Sequence, residues 1–270
     1  ADLESEADAM ARRLSSLGVG PGDAVAVLSR NRIETLALSF AVRRLGGVLA
    51  PVSHRLTPAT VEELLETVEP TVVVHEAAQR DLVRELSDDL GHSFEEFGRI
   101  DGEDYERADR DPEDSLLYLH EVGRADRPAV GETGGGEDGV GESSGKDGDD
   151  GDHRRGESLN ENPQTASRVV DVPERAVEWN CITAAAAWGL GKDDFAPTLL
   201  PFSDADGLLR LVLPLLYVGG RVDLLRVFDP DDALAAIADE GATAAFAGAT
   251  EYRELVGSDA FEAADFGSVE

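Results

Sequence analysis

The sequence predicts an α/β fold with a parallel sheet, because short apolar runs alternate with amphipathic segments along most of the chain. The runs 24–28, 48–50 and 71–74 are three to five residues long, which suits strands that are buried on both faces. The segments between them carry apolar side chains at helical spacing. Alternation of this kind is typical of parallel strands joined by right-handed helical crossovers.

The first half of the chain contributes a helix, strand, helix, strand order. Thr57 stands at the N-cap position and Pro58 at the first helical position, and this pair marks the start of a helix. The interval 91–114 is polar and acidic and is expected to form a surface loop with a short helix. The predicted elements are helices over 2–17, 32–45 and from Thr57-Pro58 onward, and strands over 24–28, 48–50, 71–74 and 116–120.

The same alternation resumes from residue 173. Pro173-Glu174 begins a helix that is expected to reach about residue 188, with Cys181 as a small buried apolar side chain and with Trp179 and Trp188 in the core. The later predictions are strands near 197–200, 221–225 and 243–247, and helices near 207–217, 230–240 and 249–256.

Residues 131–162 interrupt this pattern. They contain ten glycines, ten acidic residues and almost no apolar side chains. Such a composition cannot bury enough apolar surface to offset the entropy of ordering it, so a disordered acidic, glycine-rich insertion is predicted. The expected organisation is a first α/β portion over 1–130, the insertion, and a second, truncated α/β portion over 163–270.

Net charge excludes two classes of partner. The chain has 24 basic and 56 acidic residues, a formal charge of −32, and its only lysines are Lys146 and Lys192. A polyanion repels nucleic acid and anionic membrane. Acidity spread along the whole chain, with so few lysines, indicates adaptation to a salt-rich cytoplasm; the alternative is an ordinary acidic protein with one acidic insert.

The sequence lacks the signals for a membrane span, a signal peptide, a disulfide and a metal site. No run of 18 apolar residues is present, and the first residues lack the basic and apolar parts of a signal peptide, so a cytoplasmic protein without membrane insertion is predicted. One cysteine excludes an intramolecular disulfide. The five histidines lack metal-ligand spacing, so no metal site is predicted from these residues.

Six segments outside the insertion are informative as an ordered set. They are 17–27 (LGVGPGDAVAV), 46–52 (GGVLAPV), 54–58 (HRLTP), 200–202 with Gly207, 214–222 (PLLYVGGRV) and 228–230 (FDP). In this order and spacing the chain resembles the adenylate-forming (AMP-dependent) synthetase/ligase superfamily, which includes the acyl-CoA synthetases. The resemblance implies the parallel-sheet subdomains of the N-terminal domain of an acyl-CoA synthetase, in incomplete form.

The resemblance also implies a two-step reaction. A carboxylate attacks the α-phosphate of ATP to give acyl-AMP and pyrophosphate, and a thiol such as coenzyme A then displaces AMP. The implied cofactors are ATP, Mg and coenzyme A, and the implied small-molecule partners are a carboxylic acid, such as one of fatty acid metabolism, and coenzyme A. A separate chain that carries the missing C-terminal part is a further partner that the resemblance allows.

The phosphate-binding loop of the family departs from its usual form here. The family pattern is [ST]-[SG]-G-[ST]-[ST]-G-x-P-K, and only Gly123 and Pro128 agree with it. Carboxylates stand where small groups should face phosphate, and alanine replaces the lysine; two like charges about 4 Å apart repel by about 4 kcal/mol at an effective dielectric constant near 20. The aligned positions are Glu121, Val122, Gly123, Arg124, Ala125, Asp126, Arg127, Pro128 and Ala129.

A second departure concerns the acyl/adenylate pocket. Family members commonly have an aromatic-histidine pair followed by glycines at this place, whereas Phe202 is followed by Ser203 and Asp204, with Gly207 after them. Phe202 and Trp188 are the only local indications of acyl specificity.

The later motifs of the family do not occur before Glu270: the Tyr-Gly-x-Thr-Glu segment, the ribose-binding aspartate and the C-terminal domain with its lysine. The chain is therefore expected to be a partial AMP-dependent ligase with no intact catalytic residues, inactive by itself. The alternatives are a non-catalytic pseudoenzyme that acts as a scaffold or regulatory binding protein, a ligase split over two chains, and a decayed gene fragment.

Limited proteolysis tests the predicted insertion. A disordered segment is cut first, so a protease of broad specificity should nick the chain within 131–162 and leave two fragments that stay associated. The cleavage sites are read by mass spectrometry of the fragments. Protection of 131–162, with slow cutting spread over the rest of the chain, would contradict this division of the sequence.

Overall fold

A computed structural model describes residues 2–87, 89–122 and 167–269. Contacts divide the chain into one unit of Ala1–Glu121 with Ser167–Glu270 and a second unit of Val122–Ala166. The description below concerns the first unit. The predicted insertion 131–162 and the phosphate-loop positions 123–129 lie outside the described residues.

The main sheet has six strands in the order β4-β3-β1-β2-β5-β6. The pairs β1–β2, β1–β3, β2–β5 and β3–β4 are all parallel, as the sequence predicts. A second sheet pairs β7 with β8, also in parallel. The strands are β1 Ala24–Ser29, β2 Val48–Ser53, β3 Val72–His75, β4 Gly91–Ser93, β5 Ser115–Val122, β6 Ser167–Pro173, β7 Phe195–Pro197 and β8 Arg221–Asp223.

The helices follow the predicted alternation closely. Thr57 caps the third helix through its side chain, which accepts from the amide of Thr60, and Asp229 caps the eighth in the same way. The helices are α1 Leu3–Ser16, α2 Ile33–Arg44, α3 Pro58–Val68, α4 Arg80–Ser87, α5 Phe94–Phe97, α6 Glu174–Trp188, α7 Leu213–Val218, α8 Pro230–Ala238 and α9 Ala249–Gly257. None of the helices in the described ranges has the length and apolarity needed to cross a bilayer.

The core lies on both faces of the main sheet. All six residues of β1 are buried, which explains why the strand reads as a continuous apolar run. On one face Val25 and Val27 belong to a cluster that contains the buried sides of α1 and α2. On the other face Ala26 and Leu28 pack in a cluster with the apolar side of α3.

The structure corrects several expectations. The predicted strand 243–247 is not a strand. The amides of Thr243 and Ala244 both donate to the carbonyl of Phe195, and the amide of Phe195 donates to Oγ1 of Thr243, so no backbone ladder with β7 forms. The predicted helix 207–217 is a π-helix over Asp206–Val212 that continues into α7. The interval 91–114 begins with β4 and α5, whose phenylalanines Phe94 and Phe97 are buried. Neither α4 nor β6 was predicted.

The tryptophan prediction is also wrong. Trp179 is 61% exposed and Trp188 is 48% exposed. The buried stripe of α6 consists of Val177, Cys181 and Ala184, and both tryptophans lie off it. Cys181 is buried, as predicted.

A buried arginine fixes the start of α6 against the main sheet. The side chain of Arg110 is 6% exposed, and its Nε donates to Oε2 of Glu174 over 2.6 Å. Its remaining nitrogens donate to the carbonyls of Gly47 and Ser115. Glu174 also accepts from Arg43 of α2. This one guanidinium therefore joins β2, β5 and α6.

Replacing Arg110 by alanine should lower the free energy of unfolding by about 1–3 kcal/mol, because the carbonyls of Gly47 and Ser115 lose their side-chain donor, while Glu174 keeps its contact with Arg43. The matched control is Arg175→Ala, which breaks the neighbouring pair with Glu113; both of its side chains are more than half exposed, and such pairs contribute about 0–1 kcal/mol. Denaturant unfolding in molar salt measures both. Equal losses in the two variants would contradict the role given to Arg110.

Candidate active site

The polar residues of the first half gather where the parallel strands of the main sheet end. Arg30 and Asn31 follow β1, His54 follows β2, Glu76 follows β3, and His120 lies near the end of β5. In open α/β sheets, ligands bind in the crevice outside the carboxyl ends of the strands. This edge of the sheet is therefore the candidate active site.

Asn31 connects this edge to the second half of the chain. It is 4% exposed. Its Nδ2 donates to the carbonyls of Leu200 and Leu225 over 2.9 and 3.2 Å, and its Oδ1 accepts from the amide of Phe202 over 2.7 Å. Because Leu200 and Leu225 follow β7 and β8, one side-chain amide holds the carboxyl ends of both sheets together.

Glu76 forms a second connection beside the first. Its side chain is 5% exposed and accepts from the backbone amide of Arg30 over 3.0 Å. The guanidinium groups of Arg30 and Arg226 lie 3.5 and 3.1 Å from its two oxygens. The carboxylate thus joins the ends of β1 and β3 to the segment that follows β8, and its negative charge is matched by the two arginines.

His54 lies in a narrow recess next to these residues. Its Nδ1 is buried and has no hydrogen-bond partner among the residues that the structure describes. Burial lowers the pKa of His54 below its usual value, and the charges of Arg55 and Arg30 lower it further. The lowered pKa favours the neutral form of the imidazole, which lines the recess together with Asn31, Leu200 and Arg226.

His120 is the last residue before the predicted phosphate-loop positions. Burial lowers its pKa, while a hydrogen bond to the carbonyl of Pro51 and the charge of Asp204 act in the opposite direction. Asp204 is exposed. His120, just before the loop, is therefore close enough to Asp204, a predicted pocket position, for their charges to interact.

The four predicted pocket positions have different surroundings. Phe202 and Ser203 are 3% and 6% exposed, and Phe202 packs in the main core cluster. Asp204 accepts from the amide of Asp206 over 2.9 Å at the start of the π-helix. Gly207 is buried inside that helix, where an added Cβ would overlap the carbonyl oxygen of Pro201 and lie 3.1 Å from the carbonyl carbon of Leu200. The segment 201–207 is therefore folded tightly onto itself.

The described structure includes only the first two positions of the predicted phosphate loop. Glu121 and Val122 end β5, and positions 123–129 lie outside the described residues. Within the described ranges, no three side chains of His, Cys, Asp or Glu converge in a way that could hold a metal ion.

The comparison with protein families agrees with this arrangement. Residues 1–130 match the AMP-binding enzyme family. The matched range covers the strands from β1 to β5 and ends just after the predicted phosphate-loop positions.

Similar proteins extend the AMP-binding likeness to the second half. The chain is 26% identical over 276 residues to a feruloyl-CoA synthase of an Amycolatopsis species, covering 100% of this chain and 47% of the relative. The chain thus spans about half the length of the curated relatives that it matches. These findings, with the family match, support membership of the adenylate-forming acyl-CoA ligase superfamily.

Solved structures show the same fold. ATP-bound MatB from Rhodopseudomonas palustris matches with a TM-score of 0.72 at 21% identity, over 96% of this chain and 45% of that protein. The o-succinylbenzoate CoA synthetase MenE from Bacillus subtilis, in complex with its acyl-adenylate intermediate, matches with a TM-score of 0.72 at 17% identity, over 95% of this chain and 57% of that protein. The architecture is that of the N-terminal domain of acyl-CoA synthetase-like structures.

Sequence reasoning missed Asn31 and Glu76. Asn31 stands in a polar tripeptide directly after a buried strand, and Glu76 stands directly after another. Polar residues at the ends of two neighbouring parallel strands are a usable signal for this edge. Their partners Phe202 and Arg226 are more than 140 residues away along the chain, and no local pattern indicates them.

Replacing Gly207 by alanine should lower the free energy of unfolding by about 1–3 kcal/mol or more, because the added methyl group overlaps backbone atoms that cannot rotate away. The matched control is Gly257→Ala in α9, where an added Cβ meets nothing within 4 Å. Thermal unfolding in molar salt measures both. A Gly207→Ala variant as stable as the control would show that the turn 201–207 is looser than described.

Proposed function

We propose that the chain is the N-terminal part of an ATP-dependent acyl-CoA ligase whose reaction is adenylation of a carboxylic acid followed by thioester formation with coenzyme A. The observation that carries this proposal is that Asn31, which follows β1, holds Leu200 and Phe202 at the carboxyl edge of the sheet, the same edge at which β5 runs into the phosphate-loop positions. The feruloyl-CoA synthase relative catalyses chemistry of the proposed class by its name.

The described residues take complementary roles in this proposal. Phe202, which packs in the main core cluster, supports the acid pocket from behind, and the buried Ser203 supplies the hydroxyl nearest to it in sequence. Asn31 positions both through the hydrogen bonds to Leu200 and Phe202. When bound, ATP supplies the α-phosphate that the carboxylate attacks. Magnesium finds no ready set of ligands among the described side chains, so no role for it is assigned to them.

We further propose that the chain does not adenylate acids by itself. Glu121 and Asp126 place carboxylates in the phosphate loop, and Ala129 removes its lysine. Loss of one preorganised donor to developing charge commonly costs about 2.7–4 kcal/mol of transition-state stabilisation. Arg124 and Arg127 are the remaining phosphate ligands in the loop, since guanidinium groups bind phosphate oxygens well.

One specific observation favours a second candidate, a non-catalytic binding protein. The connections made by Asn31 and Glu76 retain the scaffold of the site, whereas the loop sequence departs from the pattern that phosphate chemistry requires. In either case we propose a cytoplasm rich in salt as the setting, because a Debye length of about 3 Å in molar salt screens the self-repulsion of 32 excess negative charges.

ATP–pyrophosphate exchange tests the activity. In molar salt, with short, branched, aromatic and long-chain acids, the chain should show no acid-dependent exchange. The matched gain-of-function variant is Glu121→Thr, Asp126→Gly, Ala129→Lys, which should bind ATP at least about tenfold more tightly, the equivalent of about 1.4 kcal/mol. Titration calorimetry measures the binding.

Two results would contradict this account. Acid-dependent exchange by the unaltered chain, lost in Arg124→Ala with Arg127→Ala, would make it an active adenylating module. Equal ATP affinity before and after restoration of the loop would show that these substitutions do not limit phosphate binding.

A further inference from the structure

A cleft of about 390 Å³ lies between α2, β5, α6 and the helical segment 206–218. This volume is within the range of small-molecule sites, about 300–1,000 Å³. Its lining includes the apolar side chains of Leu117, Val177, Cys181 and Leu208 and the charged side chains of Arg43, Glu174 and Glu178.

The cleft is separate from the candidate active site. Leu117 pairs with Leu49, the second residue of β2, so this wall belongs to the amino-terminal ends of the strands. Asn31, Glu76 and His120 lie at the opposite ends of their strands. The walls are apolar and closely packed: Leu117, Val177 and Leu208 are each buried.

The two carboxylates of the cleft differ in their ion pairs. Arg43 donates to Glu174, and Glu174 also accepts from the buried Arg110. Glu178 lies one turn further along α6, is exposed, and forms no ion pair with any described residue. The pKa of the Cys181 thiol, three residues further along α6, is raised to about 11 by burial and, to a smaller extent, by the charge of Glu178.

We propose that this cleft binds an apolar organic cation, with its hydrocarbon body against Leu117, Val177 and Leu208 and its ammonium or guanidinium group at Glu178. The unpaired carboxylate supplies the charge complement, since the one arginine of the lining is already engaged by Glu174. A carboxylate ligand would instead meet Glu178 and Glu174 at the rim. The cleft does not depend on the adenylation chemistry, so the proposal stands apart from the proposed function.

Two aromatic probes of equal shape and opposite charge test the proposal: 1-naphthylmethylammonium and 1-naphthylacetate. Titrations in molar potassium chloride suppress attraction of cations to the overall negative charge, because charges farther apart than about 3 Å are screened. The cationic probe should bind saturably to one site, and the anionic probe should bind at least about tenfold more weakly.

The location is tested by two further readouts. Glu178→Gln should weaken binding of the cationic probe by about two- to fivefold, the range of an exposed ion pair, whereas Glu254→Gln, an equal change of charge on the exposed side of α9, should leave it unchanged. Cys181 is the only cysteine of the chain, so the bound probe should slow its reaction with iodoacetamide. Near-ultraviolet circular dichroism confirms that both variants are folded.

Three outcomes would overturn the proposal. They are no saturable binding of the cationic probe, binding that leaves the reactivity of Cys181 unchanged, and equal affinity for both probes with no effect of Glu178→Gln. The last result would favour an acyl tail as the occupant.

Discussion

The buried side-chain amide of Asn31 is the contact on which the arrangement of the candidate site depends. It satisfies two carbonyls and one amide of the second half of the chain with one residue from the first. Leaving such buried groups unpaired costs about 1–3 kcal/mol each. No apolar residue of similar size could replace it, because all three partners are backbone groups that need a donor or an acceptor.

Two carboxylates also connect distant segments, as Asn31 does. Glu76 is buried and is matched by Arg30 and Arg226, while Glu174 is matched by Arg43 and Arg110 at the other edge of the sheet. In a chain with 56 acidic residues and 24 basic ones, arginines are scarce, and these four pair with two largely buried carboxylates that join distant segments. The connections thus fix both edges of the sheet relative to the second half.

The sequence allowed most of the first half to be predicted, for a physical reason. Strands such as β1 and β3 are buried on both faces, so they read as uninterrupted apolar runs, and helices such as α3 carry their own capping residues. Short elements with mixed composition, including β4 and β6, lack such local signals. The segment 243–247 has a strand-like composition, but the amide of Phe195 in β7 donates to the side chain of Thr243 and not to the backbone of the segment, so no ladder forms.

The candidate site was predictable only in part. The resemblance indicated Phe202, Ser203, Asp204 and Gly207, and the tight fold of 201–207 explains why a glycine is required at its end. Asn31 was not singled out, because its partners are about 170 residues away along the chain and pairing of this kind is decided by tertiary packing. The exposed tryptophans of α6 show the same limit, since helical spacing does not tell which face is covered.

The central claim is that Asn31 holds the Leu200–Phe202 segment on the carboxyl edge of the main sheet. Hydrogen exchange of the Phe202 amide, measured by NMR in Asn31→Ala, tests it directly. The exchange of Phe202 should accelerate strongly while the amides of Val27 and Val74 stay slow, and Asn180→Ala, which removes a comparable bond to the carbonyl of Leu209, should leave Phe202 protected. Unchanged protection of Phe202 in Asn31→Ala would contradict the account.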